Sequence, residues 1–128
     1  MRFENKVVVI TGGAAGIGRV TAESFAKEGA RIAICDINPE AGEAAAKELG
    51  PEASFQQVDV ASSAAVSGWI EGVFDKYGQI DVLVNNAGIF RKKAFTDFTT
   101  EDFTALVSTN LFGFIVAFRK SICFKESS

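Results

Sequence analysis

The 128-residue chain contains no histidine, only two cysteines and two prolines, and a single tyrosine and tryptophan. Without histidine, these residues hold neither a Ser-His-Asp triad, nor a His-paired cysteine nucleophile, nor an ordinary His-ligated zinc site. No metal site is expected. Cys35 lies in an apolar run and Cys123 near the end, which is no disulfide framework and fits a reducing compartment. No segment reaches the ~18 uninterrupted apolar residues of a membrane span. Met1-Arg2-Phe3-Glu4-Asn5-Lys6 has no apolar signal core, so a cytoplasmic location is expected. A formal net charge of −3 leaves no electrostatic footprint for nucleic acid or an anionic membrane, and neither is expected as a partner. With 48% hydrophobic and 23% charged residues the chain has a globular balance, at a length that suits one domain.

Glycine is what the chain has in quantity, and it is concentrated where it matters. Thr11-Gly12-Gly13-Ala14-Ala15-Gly16-Ile17-Gly18 follows the apolar run Val7-Val8-Val9-Ile10 and leads into helical spacing. Residues without a Cβ let a backbone turn sharply and approach a pyrophosphate, while N–H groups at a helix start supply partial positive charge. Gly12 is expected to make the turn, and Gly16 and Gly18 the close approach and the packing. Gly-x-x-x-Gly-x-Gly differs from the common Gly-x-Gly-x-x-Gly spacing, so a Gly-rich turn without ligand is the competing reading. Two features of context favour the phosphate: the buried-type strand before the turn, and Asp36, which ends the next strand at about the ~20-residue interval of a ribose ligand.

Taken in order, Lys6 to Thr11 reads as a first strand buried on both faces. Ile17, Val20, Thr21, Ser24 and Phe25 then share one helical face, and Gly29 ends that helix. Arg31 to Asp36 is a second strand. Asn38-Pro39 supplies an N-cap and a first-turn proline for an Ala-rich helix that stops at Gly50-Pro51. Ser54 to Asp59 is a third, more polar strand suited to a sheet edge. Ser62 or Ser63 caps a helix whose stripe of Val66, Trp69, Ile70, Val73, Phe74 and Tyr77 runs to Gly78 and reads as core. Ile80 to Asn85 is a fourth strand, and Arg91-Lys92-Lys93 lies in the loop behind it. Thr99 and Asp102 form a weak capping box before a last helical segment marked by Phe103, Leu106, Val107, Asn110, Leu111, Phe114 and Phe118. Strand and helix alternate, which predicts an α/β fold with a parallel, doubly wound sheet of about four strands.

The carboxylate of Asp36 can accept bonds from ribose hydroxyls and would repel a 2′-phosphate, so it favours NAD over NADP as the cofactor. Ala14, Ala15, Ile37 and Asn38 bring no compensating cation, although Arg19 is near in sequence. A strand-end Asp that only opens a turn is the alternative. Asn110 is a polar residue on an apolar helical face, where burial would demand partners for its amide.

Thr11-Gly12-Gly13-x-x-Gly16-Ile17-Gly18, Asp59-Val60, Asn85-Asn86-Ala87-Gly88 and Asn110 together resemble the short-chain dehydrogenases/reductases. The resemblance covers residues 1 to about 118 and implies a Rossmann-like domain with strand order 3-2-1-4. It implies a cofactor site made by Gly12, Gly16, Ile17 and Gly18 on the loop, Asp36 and Ile37 after the second strand, and Asp59 and Val60 beside the adenine. Asn86, Ala87 and Gly88 would complete that site, with Asn85 holding the sheet near Thr11; an Asn-rich turn without ligand is the other reading. Asn110 would support a proton relay, or be satisfied structurally.

The same resemblance implies catalysis by a Ser and a Tyr-x-x-x-Lys pair, in which Lys lowers the Tyr pKa for proton exchange with an alcohol or carbonyl substrate. Tyr77 is the one tyrosine, residue 81 is Asp, and Tyr77 sits before the fourth strand. The expectation is therefore the NAD-binding portion of a short-chain oxidoreductase, residues 1–118, inactive alone, with residues 119–128 a divergent tail as in a truncated chain. A non-catalytic NAD-binding or interaction module, or a truncation product without a role, are the alternatives. A methyltransferase-type fold is disfavoured by Asn85-Asn86-Ala87-Gly88. Self-association is expected through the last helix, whose residues 111–118 are apolar nearly all round.

Overall fold

A computed structural model of the protein describes residues 1–88, 95–108 and 110. Its centre is strand β1 (Val7–Thr11), a run of five β-branched residues, each buried, whose stiff side chains suit a pleated surface closed on both faces. β2 (Arg31–Asp36) lies on one side of it and β4 (Val82–Asn85) on the other, with β3 (Ser54–Gln57) outermost beyond β2. All pairings are parallel, and the order is β3-β2-β1-β4. The register sets Val9 between Ala33 and Leu83 and brings Thr11 level with Cys35 and Asn85.

Side chains alternate across the sheet, and each face has its own helical cover. Val7, Val9, Ala33 and Cys35 point to the face packed by α3 (Ser63–Tyr77) through Val66, Trp69, Ile70 and Val73. Val8, Ile10, Ile32 and Ile34 point the other way, onto Ala22 of α1 (Gly16–Lys27) and Ala45 of α2 (Pro39–Leu49). Each fully buried aliphatic side chain contributes about 1.5–3 kcal/mol of transfer free energy, so this two-sided cover dominates what holds the sheet.

The helix signals act where the sequence puts them, with corrections. Asn38 Oδ1 accepts from Ala41 N–H at 3.1 Å with Pro39 at the first helical position, and of the two candidate serines Ser62 is the cap. Thr99 and Asp102 form a complete reciprocal capping box for α4 (Thr100–Val107), both bonds at 3.1 Å, rather than a weak one. α1 lies on the sheet through Gly18, Ala22, Phe25 and Ala26; Ile17 and Val20, expected on that inner face, are 80% and 61% exposed. The reason is steric: at its start the helix comes close to the glycine loop on Gly18, where a Cβ would run into the Gly12 carbonyl.

The polar strand stops at Gln57, two residues short of Asp59, although Val58 N–H still donates to the Asp36 carbonyl at 3.1 Å. β4 begins at Val82 rather than Ile80 because Asp81 turns its side chain back onto β1, accepting Val7 N–H at 2.8 Å. Arg91 to Lys93, Cys123 and the apolar residues 111–118 lie outside the described residues. No helix among the described residues is long and apolar enough to cross a membrane.

Candidate functional site

At the carboxyl ends of the strands the loops part to leave a cavity of about 510 Å³, within the ~300–1,000 Å³ typical of small-molecule and cofactor sites. Its walls come from five places. Gly12 and Ala15 belong to the glycine loop, while Cys35, Asp36 and Ile37 end β2. Val58, Asp59, Val60 and Ala61 follow β3, and Asn86, Ala87 and Gly88 follow β4, with Ala105 of α4 closing the far side.

The glycine loop is locked to both neighbouring strands. Gly12 and Gly13 donate to the Cys35 carbonyl at 2.8 and 3.1 Å, and Ala14 donates to Asp36 Oδ2 at 3.1 Å. From the other side, the buried Thr11 Oγ1 accepts the N–H groups of Asn86 and Ala87, both at 3.0 Å, and Asn86 Nδ2 donates to the Gly12 carbonyl at 3.0 Å. Asn85, expected to hold the sheet near Thr11, is Thr11's ladder partner, and the backbone N–H groups of Asn86 and Ala87 add the link to the Thr11 hydroxyl. Gly12 has φ +67°, and a Cβ there would sit 3.0 Å from both Ala87 Cα and Asn86 Nδ2, so turn and approach both require glycine.

The start of α1 has the features a phosphate needs. Its N-cap is Ala15, whose methyl accepts nothing, and Arg19 N–H to the Ala15 carbonyl at 3.3 Å closes the first turn. The N–H groups of Gly16, Ile17 and Gly18 therefore have no intrahelical acceptor. Gly16 has φ +59° and open space where a Cβ would stand. These three residues lie beside the cavity rather than in its wall, with Ile17 exposed and Gly18 buried beneath the loop.

Asp36 and Asp59 are the charged residues of the wall, and no cation lines it among the described residues. Asp36 Oδ1 accepts from Asn38 N–H at 3.1 Å and Asp59 Oδ1 from Ala61 N–H at 2.9 Å, which fixes one carboxylate at the end of β2 and the other in the segment after β3. Arg19 is engaged elsewhere, pairing with Glu23 at 3.0 Å and with Glu48 on α2. Burial pushes the Cys35 thiol up to about 12, so it stays protonated as part of the apolar floor. Among the described residues no group of three or more His, Cys, Asp or Glu is placed to hold a metal.

Asn110 stands in a π-helical turn after α4, exposed rather than buried as its place in the apolar stripe suggests. A Cβ on Gly88 would come 3.2 Å from Asn110 Oδ1, which puts the amide against the Asn86-Ala87-Gly88 loop. Tyr77 is at the other end of the sheet, donating to the Glu52 carbonyl at 2.6 Å with Arg31 5.6 Å from its ring centroid. Sequence reasoning missed Ala15, Cys35, Val58, Ala61 and Ala105. Four of these adjoin recognised motif residues, while Ala105 carries no signal beyond being small on a helical face.

A family profile described as short chain dehydrogenase matches residues 6–124. The sorbitol dehydrogenase of Cereibacter sphaeroides is 42% identical over 113 residues, 88% of this chain and 44% of that enzyme. The momilactone A synthase of Oryza sativa subsp. japonica is 41% identical over 115 residues, 88% of this chain and 42% of the other. Among solved structures, the 3-ketoacyl-(acyl-carrier-protein) reductase of Brucella melitensis complexed with NADH superposes with TM-score 0.94 at 35% identity, over 98% of this chain and 52% of that one. A short chain dehydrogenase of Burkholderia cenocepacia J2315 in complex with NADP gives TM-score 0.93 at 34% identity, over 96% of this chain and 52% of the other. The chain therefore spans about half the length of these relatives. On its strand order, its glycine loop and these matches, it belongs to the short-chain dehydrogenase family of oxidoreductases, with their Rossmann-like fold for a nicotinamide dinucleotide.

Proposed function

We propose that these residues bind NAD in preference to NADP, as the cofactor-binding portion of an oxidoreductase acting on an alcohol or carbonyl substrate. The observation that carries the reading is the cavity wall, where Asp36 ends β2 and no described cation stands by to offset it. A 2′-hydroxyl would donate to that carboxylate, whereas a 2′-phosphate would face it. Arg19, the nearest basic candidate in sequence, is held by Glu23 and Glu48. The N–H groups of Gly16, Ile17 and Gly18 would hold the diphosphate, Asp59 and Val60 would flank the adenine, and Asn86 to Gly88 would border the nicotinamide half. When bound, the nicotinamide supplies hydride chemistry. The chain's own part is to fix the dinucleotide between the loop after β1 and the loop after β4.

No Tyr-x-x-x-Lys occurs in these 128 residues, and Tyr77 is engaged with Glu52 at the opposite sheet end. This supports the second part of the proposal, that the chain binds nucleotide without turnover when alone. A cytoplasmic location and self-association through residues 111–118 belong to the same reading. Titration with NAD, NADP and S-adenosylmethionine, with alcohol-dependent NADH formation followed in parallel, tests it. Binding of dinucleotides alone without NADH formation is expected; tight S-adenosylmethionine binding or steady turnover would overturn it.

A further inference from the structure

The last two residues of β2 hold three successive N–H groups of the glycine loop, and only the third bond uses a side chain. Gly12 and Gly13 share the Cys35 carbonyl, which any residue at position 35 would supply, but Ala14 donates at 3.1 Å to Asp36 Oδ2. From Ala14 the chain runs through the extended Ala15, φ −153°, to Gly16 at φ +59°, where α1 begins. Ala15 alone thus separates the residue bonded to Asp36 from the first N–H of the helix. A displacement of Ala14 changes the direction in which Gly16, Ile17 and Gly18 present their N–H groups. The other oxygen, Oδ1, accepts from Asn38 N–H at 3.1 Å, so the carboxylate cannot swing without breaking a bond. An ionised carboxylate has about four acceptor sites. Ala14 and Asn38 use two of them and leave two for a ligand.

We propose that Asp36 is a positioning residue for the phosphate-facing loop, acting through Ala14 N–H, in addition to any contact with ribose hydroxyls. The ligand half of this inference rests on the dinucleotide reading above, while the Ala14 bond exists without ligand. One carboxylate then couples the two ends of the adenosine diphosphate site: it receives the ribose on its free acceptor sites and aims the N–H groups that receive the phosphates.

The test separates the two roles with an NAD analogue carrying 2′,3′-dideoxyadenosine, which has no adenosine ribose hydroxyls to offer Asp36. Calorimetric titration of the full chain and of Asp36→Ala is paired with amide hydrogen exchange on both proteins without ligand. Asp36→Ala is expected to weaken the dideoxy analogue by about tenfold or more, the scale of one hydrogen bond to a charged group. Exchange at Ala14 should accelerate at least about tenfold, with Val9 and Ile34 in the sheet unchanged. Equal affinity of the analogue for both proteins, or unchanged exchange at Ala14, would overturn the inference. If the parent chain bound no dinucleotide, the reading of the function would fail while Ala14 exchange still decided the positioning role. Should Asp36→Ala not fold, Asp36→Leu, which keeps the side-chain volume and offers no acceptor to Ala14 N–H, carries the same expectations.

Discussion

The two ends of the sheet are both tied by side chain to backbone hydrogen bonds, and at the carboxyl ends these ties border a cavity. At the amino ends of the strands the ties close the structure: Asp81 Oδ2 accepts from Val7 N–H and Gln79 Nε2, Gln79 also donates to the Asn5 carbonyl, and Tyr77 donates to the Glu52 carbonyl. At the carboxyl ends, Thr11, Asp36 and Asn86 tie loop to loop around a cavity of about 510 Å³. The side chains that tie the first end include the long Gln79 and Tyr77, which reach across gaps. Those at the second are short, and glycine and alanine take the space between them. In a parallel sheet the helices return from the carboxyl ends, so their amino termini gather there; the site forms where strand ends and helix starts coincide.

The sharpest break of this contrast is Gly18→Val. Its Cβ would meet the Gly12 carbonyl and stand 2.5 Å from Asn86 Nδ2, so loop and helix must separate. Overpacking of this kind costs about 1–3 kcal/mol, and more where backbone must move. NAD affinity should fall by more than about a hundredfold with a clear drop in melting temperature. Gly16→Val should act next, and differently. No atom lies within 4 Å of its Cβ, but φ +59° strains a branched residue by about 1–3 kcal/mol and the side chain would project where the diphosphate is expected. Affinity should fall more than about tenfold with helix content preserved by circular dichroism. Retained NAD binding by this variant would reduce the loop to a turn.

A paired substitution sharpens the comparison itself. Thr11→Val removes the acceptor of Asn86 and Ala87 N–H at the open end, and Asp81→Ala removes the acceptor of Val7 N–H at the closed end. Each should lower stability by about 1–3 kcal/mol by chemical denaturation, as expected for an unmade buried bond. Only Thr11→Val should also weaken NAD; equal effects on affinity would show that the two ends are not functionally distinct. The smallest effect is that of Cys35. Its thiol titrates near 12 when folded, above the ordinary value of 9.0, because it is buried. The unfolded chain loses that proton first, so stability is undiminished below about pH 9 and falls as pH rises toward 12. Cys35→Ala should flatten that slope, and a thiol reagent at pH 8 should leave Cys35 unmodified until the chain is denatured.

Much of this was readable in the chain beforehand because its signals are local. Unbroken apolar runs mark β1 and β2, caps at Asn38 and Ser62 stand where the helices begin, and Gly12 and Gly16 of the loop adopt a positive φ. What was not readable depends on distance across the fold. That α1 lies on Gly18 and Ala22 rather than on Ile17 and Val20 is settled by how near the helix comes to the sheet, which periodicity does not contain. That Ala14 and Asp36 meet across 22 positions, and that Ala105 closes the cavity, follow from tertiary placement alone. Asn110, a member of the apolar stripe by its spacing, stands exposed in a π-helical turn, a departure from the 3.6 period that the spacing assumes.

The measurement that bears most directly on the central claim is calorimetric titration of the unmodified chain with NAD and NADP under identical salt. With Asp36 in the wall of a cavity that holds no cation among the described residues, NAD should bind at least about tenfold more tightly, a difference of about 1.4 kcal/mol. Equal affinities, or tighter binding of NADP, would contradict the account.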